Sequence, residues 1–179
     1  MMAKNTWTVD TAHSEVGFTV KHMMISKAKG TFDKFDTVVE ADVENLADSK
    51  IEVTVDVASV NTRNDGRDQH LRSADFFDAE NHPNMTFIAT DIKKTSSSNY
   101  DVTGDLTIRG NTKPVTIDVT FEGVSKDPMS GNTVAGFSGE TKINRTDFGL
   151  VWNAAVETGG VLVAEEVKIH FELELHKQD

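Results

Sequence analysis

The segment Val167–Leu175 reads V-K-I-H-F-E-L-E-L, with apolar residues at every odd position and polar residues between them. Side chains on a β-strand project alternately to opposite faces. A strict period of two therefore makes a ribbon with one apolar and one wet face, unlike the 3.6-residue stripe of a helix. The alternation recurs in Ile51–Val57 (I-E-V-T-V-D-V), Val115–Phe121 (V-T-I-D-V-T-F) and Tyr100–Ile108 (Y-D-V-T-G-D-L-T-I), the last with a glycine on its apolar side. Several such ribbons in one chain make a wall with an apolar interior, which is either a packed core or a cavity.

Further strands are expected at Thr6–Val9, Ser14–Met24, Met85–Ile92, Val134–Ile143 and Val161–His176. In Ser14–Met24, the residues Val16, Phe18, Val20, His22 and Met24 share a face opposite Glu15, Thr19 and Lys21. Gly30–Val43 is strand-like but irregular, because Phe32 and Phe35 are three apart, which implies a bulge between them. Polar segments at Glu44–Lys50, Lys93–Asn99, Arg109–Pro114 and Lys126–Thr133 read as turns, and Arg145–Gly160 as a loop. Eight or more strands joined by short turns predict an all-β, antiparallel barrel or sandwich in a single domain spanning residues 1–179.

One stretch breaks the rhythm. Asn61–His82 has no two-residue period; Asn64 or Asp65 can cap a short helix running to about Ser73, with Arg72 near its C-terminal end. Phe76 and Phe77 follow. This helical insertion, about 64–78, reads either as a lid over a binding cavity or as a core plug at one end of the barrel. The two roles are compatible, since a plug over a cavity is also one of its walls.

The chain carries a formal net charge of −11 and only 37% hydrophobic residues, as expected of a barrel whose outer face is solvated. No basic stripe offers itself to phosphates, so a nucleic-acid partner is excluded, and loose adhesion to anionic lipid is disfavoured. The absence of cysteine removes disulfides, thiolate metal sites and thiol redox chemistry. No apolar run approaches a membrane span, so stable membrane insertion is not expected. The N-terminal segment lacks the apolar core of a signal peptide, which predicts a cytoplasmic protein.

Catalytic signatures are weak. The histidines at 13, 22, 70, 82, 170 and 176 show no metal-ligand spacing, and no metal is expected. Asp147-Phe148-Gly149 copies a kinase tripeptide without the rest of a kinase, and Gly136–Gly139 lies on a strand rather than a nucleophile turn. No catalytic residue is assigned. His22 shares a face with Phe18 and Val20, as either a hydrogen-bonded core residue or a contact for a polar head group. The Arg67, Asp68, His70 and Arg72 cluster reads as a salt-bridged helix surface, or as an anchor of the plug to the rim.

Taken together, W-T-V-D-T-A-H-S-E-V-G-F-T-V-K-H-M-M at 7–24, G-x-F at 30–32, R-D-Q-H-L-R-S-A-D-F-F-D at 67–78, H-P-N-M-T-F at 82–87, G-D-L-T-I-R-G-x-T-K-P-V at 104–115 and R-x-D-F-G at 145–149 resemble the YceI-like family, in family order over nearly the whole chain. The resemblance implies an extended, eight-stranded lipocalin-like β-barrel. Its apolar tunnel would bind a polyisoprenoid, such as an isoprenoid quinone tail, or another amphiphilic lipid, with no catalytic cofactor. Many relatives look exported; the lack of a signal peptide sets this chain apart from them.

The expected ligand-binding wall comprises Phe18, Val20, His22, Phe32, Val55, Leu71, Phe77, Phe87, Leu106, Phe121, Phe137 and Phe171, with His13 and Arg67 as further polar mouth groups. Room inside would come from small inward residues: Gly17 if a bulge turns it, Ala89, Gly104, Ala135 and Gly139. The alternatives are an enzyme acting on an amphiphilic substrate through His22 or the Arg67–Arg72 cluster, and a stress-related interaction protein with a filled barrel. Val151 and Trp152 are candidates for an apolar patch, a homodimer contact or ordinary rim.

Overall fold

A computed structural model describes residues 4–154 and 162–178; the expected strand start at Val161 and loop residues 155–160 lie outside the described residues. The strands are β1 (Asn5–Val9), β2 (Glu15–His22), β3 (Ser26–Phe32), β4 (Phe35–Ala41), β5 (Lys50–Asp56), β6 (Val60–Asn61), β7 (Asn84–Lys94), β8 (Asn99–Ile108), β9 (Asn111–Lys126), β10 (Thr133–Asn144) and β11 (Val163–Lys177), with one α-helix, α1 (Asp65–Arg72). Their neighbour order is β1-β4-β5-β7-β8-β9-β10-β11-β2-β3-β6, and β1 also pairs with β11, which closes the sheet.

Three of the barrel's staves are interrupted. β1 and β2 form one stave broken by a 3-10 turn at Thr11–His13; β3 and β4 form the next, bent at Asp33 and Lys34; β5 and β6 form the third, broken at Val57–Ser59. Counted this way, the architecture is the expected closed antiparallel barrel of eight staves, each paired with its neighbours in sequence. A barrel removes the unpaired edges that an open sheet would present. Among the described residues no helix is long and apolar enough to cross a membrane.

The alternation read from sequence is borne out in the registers. Ala135, Phe137, Gly139, Thr141 and Ile143 of β10 lie opposite Leu175, Leu173, Phe171, Ile169 and Val167 of β11, so the apolar residues of both strands face inward together. Several local expectations fail. In place of a bulge between Phe32 and Phe35 there is a bend that ends β3 and starts β4. The strand expected to reach Met24 stops at His22, because Met23 and Met24 take left-handed backbone (φ 52° and 62°) and turn the chain into β3. The turn expected over Arg109–Pro114 is only Arg109-Gly110, both at positive φ as a type I′ two-residue hairpin requires. Pro114 then lies within β9, beyond Asp118 where the pairing with β10 ends, so its missing N–H costs that ladder nothing.

One end of the barrel collects the β2–β3 turn, α1 with its following loop, the Arg109-Gly110 turn and the segment after β10; we call it the helix end. The opposite end holds the β4–β5 loop, where Leu46 is buried, and the start of β1, where the Trp7 indole donates to the Ala41 carbonyl at 3.1 Å.

Candidate functional site: an apolar interior with one polar mouth

The interior contains two abutting cavities. The first, about 160 Å3, is enclosed by side chains from nearly every stave, including Val39, Ile51, Val55, Phe87, Tyr100, Leu106, Ile117, Phe137, Phe171 and Leu173. The polar side chains in its wall are Ser49, Thr86, Tyr100 and Thr141. The second, about 210 Å3, lies at the helix end and is lined by Phe18, Val20, Phe32, Leu71, Phe76, Phe77, Phe148, Trp152 and Ile169 among others. Val16, Met85 and Ile169 line both, and so form a waist between them. Each is at least as large as the ~150 Å3 apolar cavities that stay dry and accept benzene-sized guests.

Glycine has a different role here from the one expected. A Cβ on Gly104 would lie 2.6 Å from Phe87 Cζ, and one on Gly30 2.5 Å from Phe18 Cζ; Gly139 likewise lies under the Phe171 ring. These glycines seat cross-strand aromatic rings against the backbone instead of leaving open space. A Cβ on Gly17 would meet His170 at 2.8 Å, and Ala135 is fully buried in packing.

The polar groups gather at the helix end. The second cavity is bordered by Lys21, His22, Thr62, Arg67, His70 and Arg145. Most of these are already committed. Arg67 donates to the Thr62 hydroxyl and carbonyl, both at 2.8 Å, and the buried Asp68 carboxylate accepts from Thr62 N at 2.9 Å and Thr62 Oγ1. This network ties α1 to the end of β6, and the Asn64 side chain caps the helix by accepting from Arg67 N. His70 lies 2.9 Å from Asp75 and packs edge-on against Trp152 and Phe76. Phe77 sits edge-on to Phe32, which in turn contacts Phe18, so the insertion both plugs the barrel and walls the cavity.

Two arginines close this end. Arg145, 4% exposed, donates to the carbonyls of Ala164, Leu150, Trp152 and Val163 at 2.6 to 3.2 Å. Burial lowers its pKa, and nearby Glu165 opposes that shift. Arg109 donates to the Phe76 carbonyl at 3.0 Å, tying the plug to the β8–β9 turn.

Of the wall residues expected from sequence, Phe18, Val20, His22, Phe32, Leu71, Phe77 and Arg67 line the second cavity, and Val55, Phe87, Leu106, Phe137 and Phe171 the first. Phe121 stands behind Phe137, stacked on it with ring centroids 5.2 Å apart, and lines neither cavity. His13 is not at the mouth. It is an exposed residue of the 3-10 turn, 2.8 Å from Asp10 and 3.4 Å from Glu174, and its pKa is raised chiefly by the Asp10 hydrogen bond. The 3-10 turn at Thr11–His13 breaks the stave and leaves His13 exposed, and the sequence pattern gives no mark of that break. Trp152, Phe76, Met85, Tyr100 and Ile169 are lining residues the sequence reading did not select; the two-residue period marks Tyr100 and Ile169 as inward. Trp152 is part of the cavity wall, whereas its neighbour Val151 is exposed.

A closed barrel around a largely apolar interior, with the basic side chains of its lining confined to one mouth, defines a binding fold of the lipocalin-like kind. The chain belongs to the YceI-like family, whose domain model matches residues 7–175. It is 43% identical over 162 residues to the UPF0312 protein SAS2572 of Staphylococcus aureus, covering 90% of this chain and 92% of that one. Among solved structures, BcnA of Burkholderia cenocepacia superposes with a TM-score of 0.79 at 32% identity, over 93% of this chain and 98% of BcnA. A polyisoprenoid binding domain from Saccharophagus degradans shares the fold, with a TM-score of 0.73 at 16% identity over 97% of this chain and 99% of that domain.

Proposed function

We propose that this protein holds a polyisoprenoid or similar amphiphilic lipid inside its barrel, for carriage, storage or sequestration, without acting on it chemically. The observation that carries this reading is the pair of apolar cavities meeting at the Val16, Met85 and Ile169 waist. An extended chain threaded through both would bury apolar surface worth roughly 25 cal/mol per Å2. Its polar end would remain near His22 and Lys21 at the mouth. The polyisoprenoid-binding relative of like fold supports the same ligand class. An enzymatic reading finds less support, since Arg67, His70 and Arg145 are each engaged by neighbours and do not converge on a reacting position.

Organic extraction of the purified protein followed by mass spectrometry tests the proposal. A prenyl or other long-chain lipid recovered at near-stoichiometric amounts is the expected result. Repeated extracts without lipid, together with failure of the delipidated protein to take up a fluorescent farnesol analogue, would overturn it.

A further inference from the structure

The β2–β3 turn departs from ordinary turn chemistry. Its residues Met23, Met24 and Ile25 are 44%, 64% and 85% exposed, and Met23 and Met24 occupy left-handed backbone that glycine or asparagine adopts with less strain. Three consecutive apolar side chains are thus held in water at the tip of a hairpin, two of them, Met23 and Met24, in a backbone conformation their type disfavours. The turn lies beside the second cavity, whose wall includes Lys21, His22 and Ala28 on the two strands that carry it. Met23 N also donates to the Leu162 carbonyl at 2.7 Å, and Leu162 lines the same cavity. Met129, 94% exposed at the opposite end, has no such setting: it follows Asp127 and borders neither cavity.

From Thr19 to Lys29 the hairpin itself carries only basic charged side chains, although Glu165 and Glu166 are exposed beside it on β11. Lys21 lies directly opposite Lys27 across the β2–β3 ladder, and Lys29 lies opposite Thr19. Like charges placed opposite each other destabilise a sheet. Among the described residues none of these lysines has an ion-pair partner within 4.0 Å.

We propose that this hairpin tip docks the cavity mouth onto an anionic phospholipid bilayer. The inference rests on the lipid-holding reading above and supplies its route of loading. Met23, Met24 and Ile25 enter the headgroup–acyl boundary, while Lys21, Lys27 and Lys29 lie along the surface with their ammonium groups at the phosphates. Each lysine near such a surface strengthens binding roughly fivefold. The net charge of −11 repels the rest of the molecule from the same surface, so contact is confined to the tip and stays reversible. A lipid leaving the bilayer there passes directly into the second cavity.

Flotation with phosphatidylcholine vesicles containing about one-third phosphatidylglycerol, compared with pure phosphatidylcholine, tests the proposal in low salt. The expected result is co-flotation with the anionic vesicles, several-fold weaker on neutral vesicles and weakened by salt. Met24→Asp with Ile25→Asp, and separately Lys27→Glu with Lys29→Glu, should each reduce flotation at least about fivefold. All four positions lie outside both cavity walls, so uptake of the fluorescent farnesol analogue from solution should persist in these variants. Absence of wild-type flotation, equal flotation on both vesicle types, or undiminished flotation of the variants overturns docking. Flotation with lipid-free extracts and no uptake of the analogue would overturn the lipid-holding reading instead.

Discussion

Arg145 brings a guanidinium into a 4% exposed site and finds four backbone carbonyls there, belonging to Leu150, Trp152, Val163 and Ala164. Five rigid N–H donors suit this arrangement, because one side chain can join the segment after β10 to the start of β11. Arg145→Ala would strand those carbonyls and should cost at least about 1–3 kcal/mol, read as a lowered urea midpoint at constant m-value. Arg145→Lys should recover only part of it, since a point-like ammonium cannot span the fork. None of this role is visible in the sequence. R-x-D-F-G stands out as a pattern, but the partners are backbone carbonyls, which every residue carries and only folding brings together. His22 is the opposite case: its place among apolar neighbours is set by strand parity, and the structure puts it at the cavity wall.

At the scale of elements, the two-residue period placed most staves because each strand buries one face and wets the other. It failed where a turn used unusual residues: Met23 and Met24 carry no glycine or proline mark, so the β2–β3 hairpin read as a longer strand. It also failed for glycine, because whether a Cα hydrogen leaves a void or seats a ring depends on the cross-strand partner. The helix was legible through its Asn64 cap, whereas its anchorage through Asp68 was not. Asp68→Ala would leave Thr62 N without its acceptor and loosen α1 against the end of β6, leaving the two Arg67–Thr62 hydrogen bonds. The expected cost is about 1–3 kcal/mol in denaturant unfolding. Release of a bound prenol analogue should also accelerate in stopped-flow fluorescence, since α1 carries Leu71 and leads to Phe77 on the cavity wall.

For the molecule as a whole, the waist decides whether the cavities act singly or as one tunnel. Met85 is its most adaptable member, an unbranched side chain able to move aside. Met85→Phe should therefore weaken binding of a long prenol about tenfold, equal to about 1.4 kcal/mol. A short prenol that fills one cavity should bind nearly as before. Equal losses for both, measured by calorimetric titration, would show that ligands do not pass the waist. β11 has a further consequence. It pairs with β10 along one side and with β2 and β1 along the other, with Trp7 opposite Lys177. It is also the last of these strands to leave the ribosome. Until it arrives, the nascent sheet has two bare edges and an uncovered apolar face, the condition that invites chaperone capture or clumping. Closure then joins residues about 170 positions apart, so folding should be slow for a domain of this size and completed only once β11 has emerged.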